Sequence, residues 1–450
     1  MNPYDGSRVI VVGLGTSGFS AARALVGLGA RVRATDDGES DAVRERGQAL
    51  EALGVEVEIG GHDLASREAD LAVLSPGVPP DAAVVVTLEK AGVPIVSEVE
   101  IAYRLARCEF LAVTGTNGKT TTTSLLASML AEGGVPTVAA GNIGYPLIDA
   151  VGSIPADGAI AVEVSSFQLA TIDRFRPKIA VLLNIAEDHT DWHGSFSSYA
   201  AAKARIVENQ HPEDVFVCNS DDHESMLVAE QAPGRVVPFS ATRPPDGNIA
   251  TGVRDRHIVW HRTHIVGVDE LPVPGVAGIE DAAAAATAAL EFGVDQRAVT
   301  RALKSFRPLS HRLEVVAVAG GITYIDDSKA TNPHATLMAV RGLDEVVLIA
   351  GGRSKGIDLT ALKATAPPVT AVVALGESSD ELERVFEGSV PVERAASMTD
   401  AVMRAHALVS PGGSVLLSPG CASLDMYESY AQRGEDFARA VGDLLARGDV

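Results

Sequence analysis

The stretch EFLAVTGTNGKTTTTSLLASMLAEGG, residues 109–134, decides much of the fold. An apolar run leads into a loop with Gly115 and Gly118, and a helix-forming segment starts near Lys119. Glycines let backbone N–H groups converge on a phosphate, and the helix N-terminus adds positive potential. In such a loop the lysine contacts the β- and γ-phosphates, and the Thr120 hydroxyl is placed for Mg²⁺. The stretch therefore predicts a strand, a nucleotide-binding loop and a helix.

This loop is shorter than the general phosphate-loop pattern. That pattern has another glycine with four residues between it and Gly118, where this chain has Val113. A plain glycine turn before an ordinary helix is the alternative interpretation. The order of strand, loop, Lys-Thr pair and helix favours phosphate binding.

A second glycine loop lies near the N-terminus, in VIVVGLGTSGFSAARAL, residues 9–25. Gly13, Gly15 and Gly18 have the spacing of a dinucleotide-binding loop, and Asp36 follows at the distance of a ribose-binding acid. By spacing alone, this loop predicts a nicotinamide site and an oxidoreductase.

Strand-like and helix-like stretches alternate along almost the whole chain, which is typical of parallel sheets with crossover helices. A third unit starts after FRPLSHRLE, residues 306–314. We predict three α/β domains: a Rossmann-like domain over 1–98, a central phosphate-loop ATPase domain with a mostly parallel sheet over 99–308, and a Rossmann-like domain over 309–450. An alanine-rich helix is predicted at 281–293.

The chain has 450 residues and is acidic. Its 37 basic and 59 acidic residues give a net charge of −22, which argues against nucleic acid or an anionic membrane surface as partner. The three cysteines, Cys108, Cys218 and Cys421, are far apart, so we expect reduced thiols in a cytoplasmic protein. Neither a run of 18 apolar residues nor a signal-peptide pattern occurs, and no membrane span is expected.

Potential metal ligands follow two further strand-like segments. Glu163 ends one of them, and the loop after the next carries Asn184, Glu187, Asp188, His189, Asp191 and His193. Carboxyl ends of parallel strands are where ligands bind in such sheets, so these donors predict a metal beside the phosphate loop. A zinc hydrolase is the alternative interpretation of D-H-T-D-W-H, residues 188–193, but it leaves the phosphate loop without a role.

The heptad T-G-T-N-G-K-T, residues 114–120, resembles the Mur ligase and folylpolyglutamate synthetase superfamily, whose members use ATP to join an amino acid to a carboxylate. Four more segments resemble the D-glutamate-adding members of the Mur ligase family: E-V-S-S-F-Q-L (163–169), N-I-A-E-D-H-T-D-W-H (184–193), D-D-S-K-A-T-N (326–332) and S-P-G-C-A-S-L-D (418–425). The resemblance implies that ATP activates UDP-N-acetylmuramoyl-L-alanine as an acyl phosphate, which D-glutamate then attacks. It implies cytoplasmic peptidoglycan precursor synthesis, and we expect a monomer.

The resemblance also implies roles for individual residues. The implied catalytic residues are Lys119, Glu163, His189 and Lys203, and the implied metal ligands are Thr120, Glu163, His189 and Lys203. ATP is implied to contact Gly115, Thr116, Asn117, Gly118, Lys119, Thr120, Thr121, Arg312, Asp327 and Lys329. The first glycine loop is implied to hold a UDP-sugar rather than a nicotinamide cofactor, with contacts from Gly15, Thr16, Ser17, Gly18, Asp36, Ser75, Pro76, Gly77, Asn142, Ser165 and Gln168. D-Glutamate is implied to contact Thr331, Lys355, Ser423 and Tyr430.

Lys203 needs a separate explanation. A free lysine has a pKa of about 10.4, so at pH 7 it is cationic and cannot ligate Mg²⁺. In the Mur ligases the matching lysine carries a carbamate, which is anionic. The resemblance therefore implies a carbamylated Lys203 and two Mg²⁺ ions.

The chain departs from the family at one place. Many relatives carry G-x-H-N-x-x-N before the alanine-rich helix, whereas residues 275–281 here read G-V-A-G-I-E-D. The His and both Asn side chains are absent, so no adenine contacts are assigned. A sibling ligase for another amino acid, a nicotinamide oxidoreductase and a nucleotide-binding regulator stay open as alternatives.

Overall fold

The computed structural model describes residues 3–66, 68–354 and 356–447. Two compact units can be distinguished. The first comprises Met1–Phe239, Gly247–Ala250 and Ala284–Arg301, and the second comprises Ser240–Asp246, Thr251–Ala283 and Ala302–Val450.

The first unit begins with a five-stranded parallel sheet. Its strands are β1 (Arg8–Val12), β2 (Arg31–Asp36), β3 (Glu56–Ile59), β4 (Leu71–Leu74) and β5 (Ile95–Ser97), in the order β3-β2-β1-β4-β5. The helices are α1 (Thr16–Gly27), α2 (Asp41–Glu51), α3 (Ala83–Lys90) and α4 (Glu98–Leu105). Val9 to Val12 of the central strand are fully buried, as expected for a parallel sheet covered on both faces.

A second parallel sheet follows in the same unit. Its strands are β6 (Glu109–Thr114), β7 (Thr137–Gly141), β8 (Ala159–Glu163), β9 (Ile179–Leu182), β10 (Val215–Asn219) and β11 (Arg235–Phe239), in the order β11-β10-β9-β6-β8-β7. The helices are α5 (Lys119–Glu132), α6 (Leu147–Ala150), α7 (Ser166–Leu169), α8 (Thr190–His193), α9 (Phe196–Ala204) and α10 (His223–Ala229). Because β8 and β9 flank β6, with Val113 opposite Glu163 and Thr114 opposite Leu182, three strand ends meet at one edge.

The second unit contains an antiparallel meander and a six-stranded sheet. The meander is β12 (Thr251–Arg254), β13 (His257–Trp260) and β14 (Thr263–Gly267). The sheet consists of β15 (Glu314–Ala319), β16 (Ile322–Asp326), β17 (Val346–Ala350), β18 (Val369–Leu375), β19 (Val392–Ala395) and β20 (Ser414–Leu417). Its order is β15-β16-β20-β17-β18-β19, and β15 alone among these strands is antiparallel to its neighbour.

Six further helices complete the fold. They are α11 (Gly275–Phe292), α12 (Gln296–Ser305), α13 (Pro333–Val340), α14 (Ser379–Phe386), α15 (Met398–Leu408) and α16 (Tyr430–Ala446). Among the described residues, no helix is long and apolar enough to cross a membrane.

The alternation of strands and crossover helices is confirmed, and one helix start differs from the prediction. The alanine-rich helix begins at Gly275, six residues before the predicted start. Gly275 has a φ of 77°, and a Cβ there would lie 2.7 Å from the carbonyl oxygen of Arg341. Only glycine fits this tight turn, and the helix begins at the turn rather than at the alanine run. The predicted domain boundaries at 98 and 308 stay predictions.

Candidate functional site

The glycine-rich loop after β6 has the backbone geometry that a phosphate cradle needs. Gly118 adopts a φ of 84° and caps α5. A Cβ on Gly115 would lie 3.0 Å from Leu183 Cβ and 3.2 Å from the Asn117 carbonyl oxygen, so a side chain fits poorly there. The loop therefore delivers its backbone to the N-terminus of a 14-residue helix, where an anion is favoured.

The loop is braced by the segment that follows β9. Asn184 accepts the Thr116 N–H through its carbonyl oxygen at 2.8 Å and the Asn117 N–H through its side-chain Oδ1 at 2.9 Å. The Thr116 hydroxyl lies 3.0 Å from the Tyr199 hydroxyl and accepts the Ala186 N–H at 2.9 Å. These hydrogen bonds fix the loop before a ligand arrives. The sequence placed Asn184 among metal donors, whereas in the structure its side chain supports the phosphate loop.

Two lysines converge on the same loop carbonyl. Lys119 Nζ donates to the carbonyl oxygens of Gly115 and Thr116, at 2.8 Å each, and Lys203 Nζ donates to that of Gly115 at 2.7 Å. Lys203 is 1% exposed. Burial lowers the pKa of Lys203 well below its usual range, and the positive charge of Lys119 lowers it further. The nearby carboxylates of Asp188 and Glu163 act in the opposite direction but do not offset these two effects.

Glu163 offers a carboxylate oxygen suited to a metal. The side chain is buried at the end of β8, and Oε1 accepts a hydrogen bond from Asn142 Nδ2 at 2.8 Å. Its Oε2 is buried without a hydrogen-bond partner among the described residues. An unpaired buried carboxylate oxygen is costly unless a cation occupies it. Glu163 and the Thr120 hydroxyl offer oxygen atoms, which Mg²⁺ prefers as ligands.

The two histidines of the loop after β9 pack against aromatic and polar neighbours. His189 has a φ of 52° and packs its ring against Phe167, whose centroid is 4.8 Å away. The ring of His193 stacks on Phe167 at 5.5 Å, and its Nε2 lies 3.0 Å from the Ser166 hydroxyl. Among the side chains that the structure describes, residues 184–193 do not gather three His, Cys, Asp or Glu donor atoms. The zinc hydrolase interpretation therefore gains no support from this loop. The predicted magnesium ligands Thr120, Glu163, His189 and Lys203 stay predictions.

The first glycine loop packs tightly at the carboxyl ends of β1 and β4. A Cβ on Gly18 would lie 1.9 Å from the Gly13 carbonyl oxygen, and Ser75 is packed beside both glycines. Asp36 accepts the N–H of Leu14 at 2.5 Å and the N–H of Gly38 at 2.7 Å, one at each carboxylate oxygen. Asp36 thus holds the loop in shape. Gly15, Thr16 and Ser17 form the N-terminus of α1, and Pro76 and Gly77 follow β4.

Ion pairs and hydrogen bonds join α1 to the segment that carries Asn142. Asp149 accepts from the Ser20 hydroxyl at 2.8 Å and from the Arg23 guanidinium at 2.7 Å. The buried Glu98 accepts the Ile148 N–H at 2.6 Å, and burial raises the pKa of Glu98 to about 7. Both α1 and the start of α4 are therefore held to α6.

Ser165 and Gln168, both predicted to contact the UDP-sugar, bond to each other. The Ser165 hydroxyl accepts the Gln168 N–H at 3.2 Å, and Gln168 Oε1 accepts the Ser165 N–H at 2.9 Å. This capping box starts α7 directly after the strand that ends in Glu163. Both residues therefore lie within five positions of Glu163 in the chain.

In the second unit, the D-D-S-K segment after β16 is anchored by hydrogen bonds. Asp327 accepts from the Ser418 hydroxyl at 2.8 Å and from the Leu313 N–H at 3.3 Å, and burial raises its pKa to about 7. The Lys329 ammonium lies 3.9 Å from the ring centroid of Tyr430. This contact pairs a predicted ATP ligand with a predicted D-glutamate ligand.

The other predicted residues of this unit occupy loops near the same strand ends. Arg312 follows His311, whose carbonyl oxygen accepts the Lys329 N–H at 3.1 Å. Thr331 is half-buried, and Ser423 is buried. Lys355 lies outside the described residues.

Arg433 is a residue that the sequence analysis missed. It is 3% exposed on α16, and its guanidinium donates to the carbonyl oxygens of Ser328 (2.7 Å), Cys421 (3.1 Å) and Gly351 (3.4 Å) and to the Ser328 hydroxyl (2.9 Å). It ties together the loops after β16, β17 and β20, where Asp327, Lys355 and Ser423 lie in sequence. No local pattern marked it, because an arginine in an amphipathic helix is typically at the surface.

Substitution of Gly434 by alanine is expected to destabilise the second unit by about 2 kcal/mol. A Cβ there would lie 2.1 Å from His311 Nδ1 and 2.6 Å from Asp326 Oδ2, two atoms that are themselves 2.7 Å apart. Amide hydrogen exchange of residues 311–330 would measure the loss. Gly442→Ala on the same helix is the control, because a Cβ there meets open space. Equal protection in the two variants would contradict the expectation.

Comparisons with known proteins match three successive segments of the chain. Residues 7–97 match the MurD-like N-terminal domain of Mur ligases, residues 113–289 the Mur ligase middle domain, and residues 311–421 the Mur ligase glutamate ligase domain. The chain therefore belongs to the Mur ligase family, and the predicted fold class is confirmed.

Relatives and solved structures refine this placement. The chain is 44% identical to a UDP-N-acetylmuramoylalanine–D-glutamate ligase of Frankia casuarinae, over 97% of this chain and 94% of that protein. It is 39% identical to the enzyme of the same name from Pelotomaculum thermopropionicum, over 99% of both. In fold it resembles MurF from Acinetobacter baumannii (TM-score 0.60, 18% identity, 99% and 92% covered) and UDP-N-acetylmuramate–alanine ligase from Thermotoga maritima (TM-score 0.58, 19% identity, 97% and 99% covered).

Proposed function

We propose that this chain is an ATP-dependent ligase that joins D-glutamate to UDP-N-acetylmuramoyl-L-alanine in cytoplasmic peptidoglycan precursor synthesis. The observation that carries the proposal is the nearly full-length similarity, at 37–44% identity, to proteins of that name. The preformed phosphate loop and the buried Glu163 carboxylate support it, because a nicotinamide oxidoreductase would use neither.

The proposed reaction has two steps. The carboxylate of the L-alanyl group attacks the γ-phosphorus of ATP and displaces ADP, which gives an acyl phosphate. The neutral amine of D-glutamate then attacks the acyl carbon, phosphate leaves, and the amine loses a proton as the amide forms. Such phosphoryl transfer depends chiefly on positioning and on neutralisation of charge.

The residues of the first unit would serve the first step. The N–H groups at the start of α5 would face the phosphates of ATP, with Gly115, Thr116, Asn117, Gly118 and Thr121 forming the loop and the first turn. Lys119 would leave the carbonyl oxygens of Gly115 and Thr116, which it now contacts, and pair with the terminal phosphates. Its ammonium would then neutralise charge that accumulates on the transferred phosphoryl group.

Mg²⁺ is the metal that these residues fit. Thr120, Glu163, His189 and a carbamylated Lys203 would hold two ions, and the unpaired Oε2 of Glu163 is the observation that supports this. When bound, Mg²⁺ reduces the repulsion between the attacking carboxylate and the triphosphate. The burial of the Lys203 amine and its lowered pKa support the carbamate, because only a neutral amine can attack CO₂.

The remaining predicted residues are assigned to the other substrates. The first glycine loop, Ser75, Pro76, Gly77 and Asn142 would bind the UDP-sugar, with Asp36 ordering the loop. Thr331, Lys355, Ser423 and Tyr430 would recognise the two carboxylates of D-glutamate. Arg312, Asp327 and Lys329 would contact ATP. We propose a monomer.

Release of phosphate from ATP tests the proposal directly. With UDP-N-acetylmuramoyl-L-alanine present, we expect phosphate release with D-glutamate and not with L-glutamate, L-lysine or diaminopimelate, since the pocket must accept one dicarboxylic amine of defined chirality. Release with L-lysine or diaminopimelate would select a sibling ligase. ATP binding without turnover for any amino acid would select a regulator, and oxidation of NADH or NADPH would select an oxidoreductase.

A further inference from the structure

A cavity of about 720 Å³ lies at the opposite edge of the second sheet from the phosphate loop. Glu109, which begins β6, lines it together with Lys178 and Asp214, which immediately precede β9 and β10. The phosphate loop follows the other end of β6, and a six-residue strand spans roughly 20 Å. The cavity is therefore separate from the candidate ATP site.

Basic side chains dominate the charged lining of this cavity. They are Arg104, Arg107, Arg174, Arg176 and Lys178, whereas the acidic lining residues are Glu109 and Asp214. The chain as a whole carries a net charge of −22, so the concentration of cations here runs against its composition. Carboxylates contact four of these five cations: Glu100 and Asp173 pair with Arg104, Asp173 pairs with Arg174, and Asp214 pairs with Arg176 and Lys178. The charge that can attract an anion therefore lies mainly on Arg107, for which the described residues offer no ion-pair partner, and on Arg174, whose contact with Asp173 is long at 3.5 Å.

Asp214 neutralises only part of this charge. Its buried carboxylate accepts from Arg176 Nε at 2.6 Å and lies 3.2 Å from Lys178 Nζ, so two cations share one anion. Glu213, outside the lining, gives Arg176 a second contact at 2.8 Å. Arg176 and Lys178 are therefore largely committed to structure.

Arg107 and Arg174 are the cations left for a ligand. Arg107 is exposed and forms no hydrogen bond or ion pair with any residue in the described part of the chain. Arg174 is 76% exposed, and its Nε lies 3.5 Å from an Asp173 carboxylate that also accepts from Arg104 at 2.8 Å. Both guanidinium groups can reorient toward an anion with little loss of free energy, because they would give up few contacts.

The backbone that carries Arg174 is nevertheless rigid. Glu100, which is fully buried on α4, accepts the N–H groups of Asp173, Arg174 and Phe175 at 3.0, 3.0 and 2.9 Å. It also accepts from Arg104 Nε at 2.7 Å. One buried carboxylate thus fixes the loop of Arg174 to the helix that precedes Arg107.

Aromatic rings supply an apolar wall. Tyr103 and Phe110 line the cavity and meet edge to face with centroids 6.0 Å apart, and Phe175 packs against Tyr103 at 5.8 Å. A ligand with both anionic and apolar parts would match this combination.

We propose that this cavity binds a small phosphorylated molecule, with Arg107 and Arg174 as its principal phosphate ligands. A guanidinium group presents N–H donors in a planar fork that matches two phosphate oxygens, and a charge-assisted pair is stronger than a neutral one. A volume of about 720 Å³ lies within the range of small-molecule sites.

Pyrophosphate is the probe, because it offers phosphate groups without a base or a sugar. Calorimetric titration uses the full chain with Lys119→Ala, which weakens the phosphate loop as a competing site. We expect this variant to bind pyrophosphate, and Arg107→Ala with Arg174→Ala in the same background to weaken binding at least about 10-fold. Arg107→Lys with Arg174→Lys should retain part of the affinity, because charge remains and the fork is lost.

A charge-matched pair controls for general electrostatics. Arg235→Ala with Arg256→Ala removes two exposed arginines elsewhere and should leave the affinity unchanged. Absence of pyrophosphate binding by the Lys119→Ala variant would overturn the proposal. So would equal affinity with and without Arg107 and Arg174, or an equal loss in the control pair.

Discussion

Replacement of Lys203 by alanine is expected to lower ligase activity by about 1,000-fold. In the proposed mechanism the neutral ε-amine attacks the carbon of CO₂, an N–C bond forms, and one proton is released. The resulting carbamate is an anion next to Glu163, where a lysine ammonium would repel Mg²⁺. Steady-state phosphate release would measure the loss, and added short carboxylic acids should restore part of the activity.

The carbamate itself can be observed independently of activity. Protein equilibrated with ¹³C-bicarbonate should show a carbamate carbon signal by NMR that is absent from Lys203→Arg, which keeps the charge but cannot form this carbamate. Lys363→Ala, at an exposed lysine, is the matched control and should leave signal and activity intact. Full activity of Lys203→Ala would refute the assignment.

Replacement of Arg433 by methionine is expected to lower the free energy of unfolding of the second unit by about 3 kcal/mol. Methionine fills much of the volume but leaves the carbonyl oxygens of Ser328, Gly351 and Cys421 without their buried donor. Amide hydrogen exchange in 326–330 and 418–423 would report the loss, and the KM for D-glutamate should rise because those loops carry its proposed ligands.

Two comparisons isolate the role of the guanidinium fork. Arg433→Lys keeps a charge but cannot reach three loops at once, so it should recover only part of the protection. Arg439→Met removes an arginine that is 69% exposed on the same helix and should have no measurable effect. Wild-type exchange and KM in Arg433→Met would show that the loops are held by other contacts.

Much of the candidate site could be predicted from the sequence because its signals are local. The apolar run at 109–114 and the glycines at 115 and 118 specify a strand, a turn and a helix start within ten residues. Glu163 was predictable for the same reason, since it ends an apolar strand. The phosphate loop, its helix and a carboxylate at the neighbouring strand end all lie where these patterns put them.

Other features depend on side chains that are distant in the chain. Arg433 and Ser328 are 105 residues apart, and Glu98 and Ile148 are 50 apart, so no local periodicity pairs them. The contact of Lys203 with the Gly115 carbonyl oxygen spans 88 residues. Sequence could assign a role to Lys203 only through family resemblance, and it gave no reason for the amine to be buried.

The sequence by itself thus determined the order of strands, phosphate loops and helices, because backbone propensity and apolar patterning act over a few residues. Only the tertiary structure decided which charged groups are buried, which backbone carbonyls they satisfy and where the basic cavity lies. Those outcomes depend on which strand ends the sheet order brings together, and the desolvation of each charge is set by that packing.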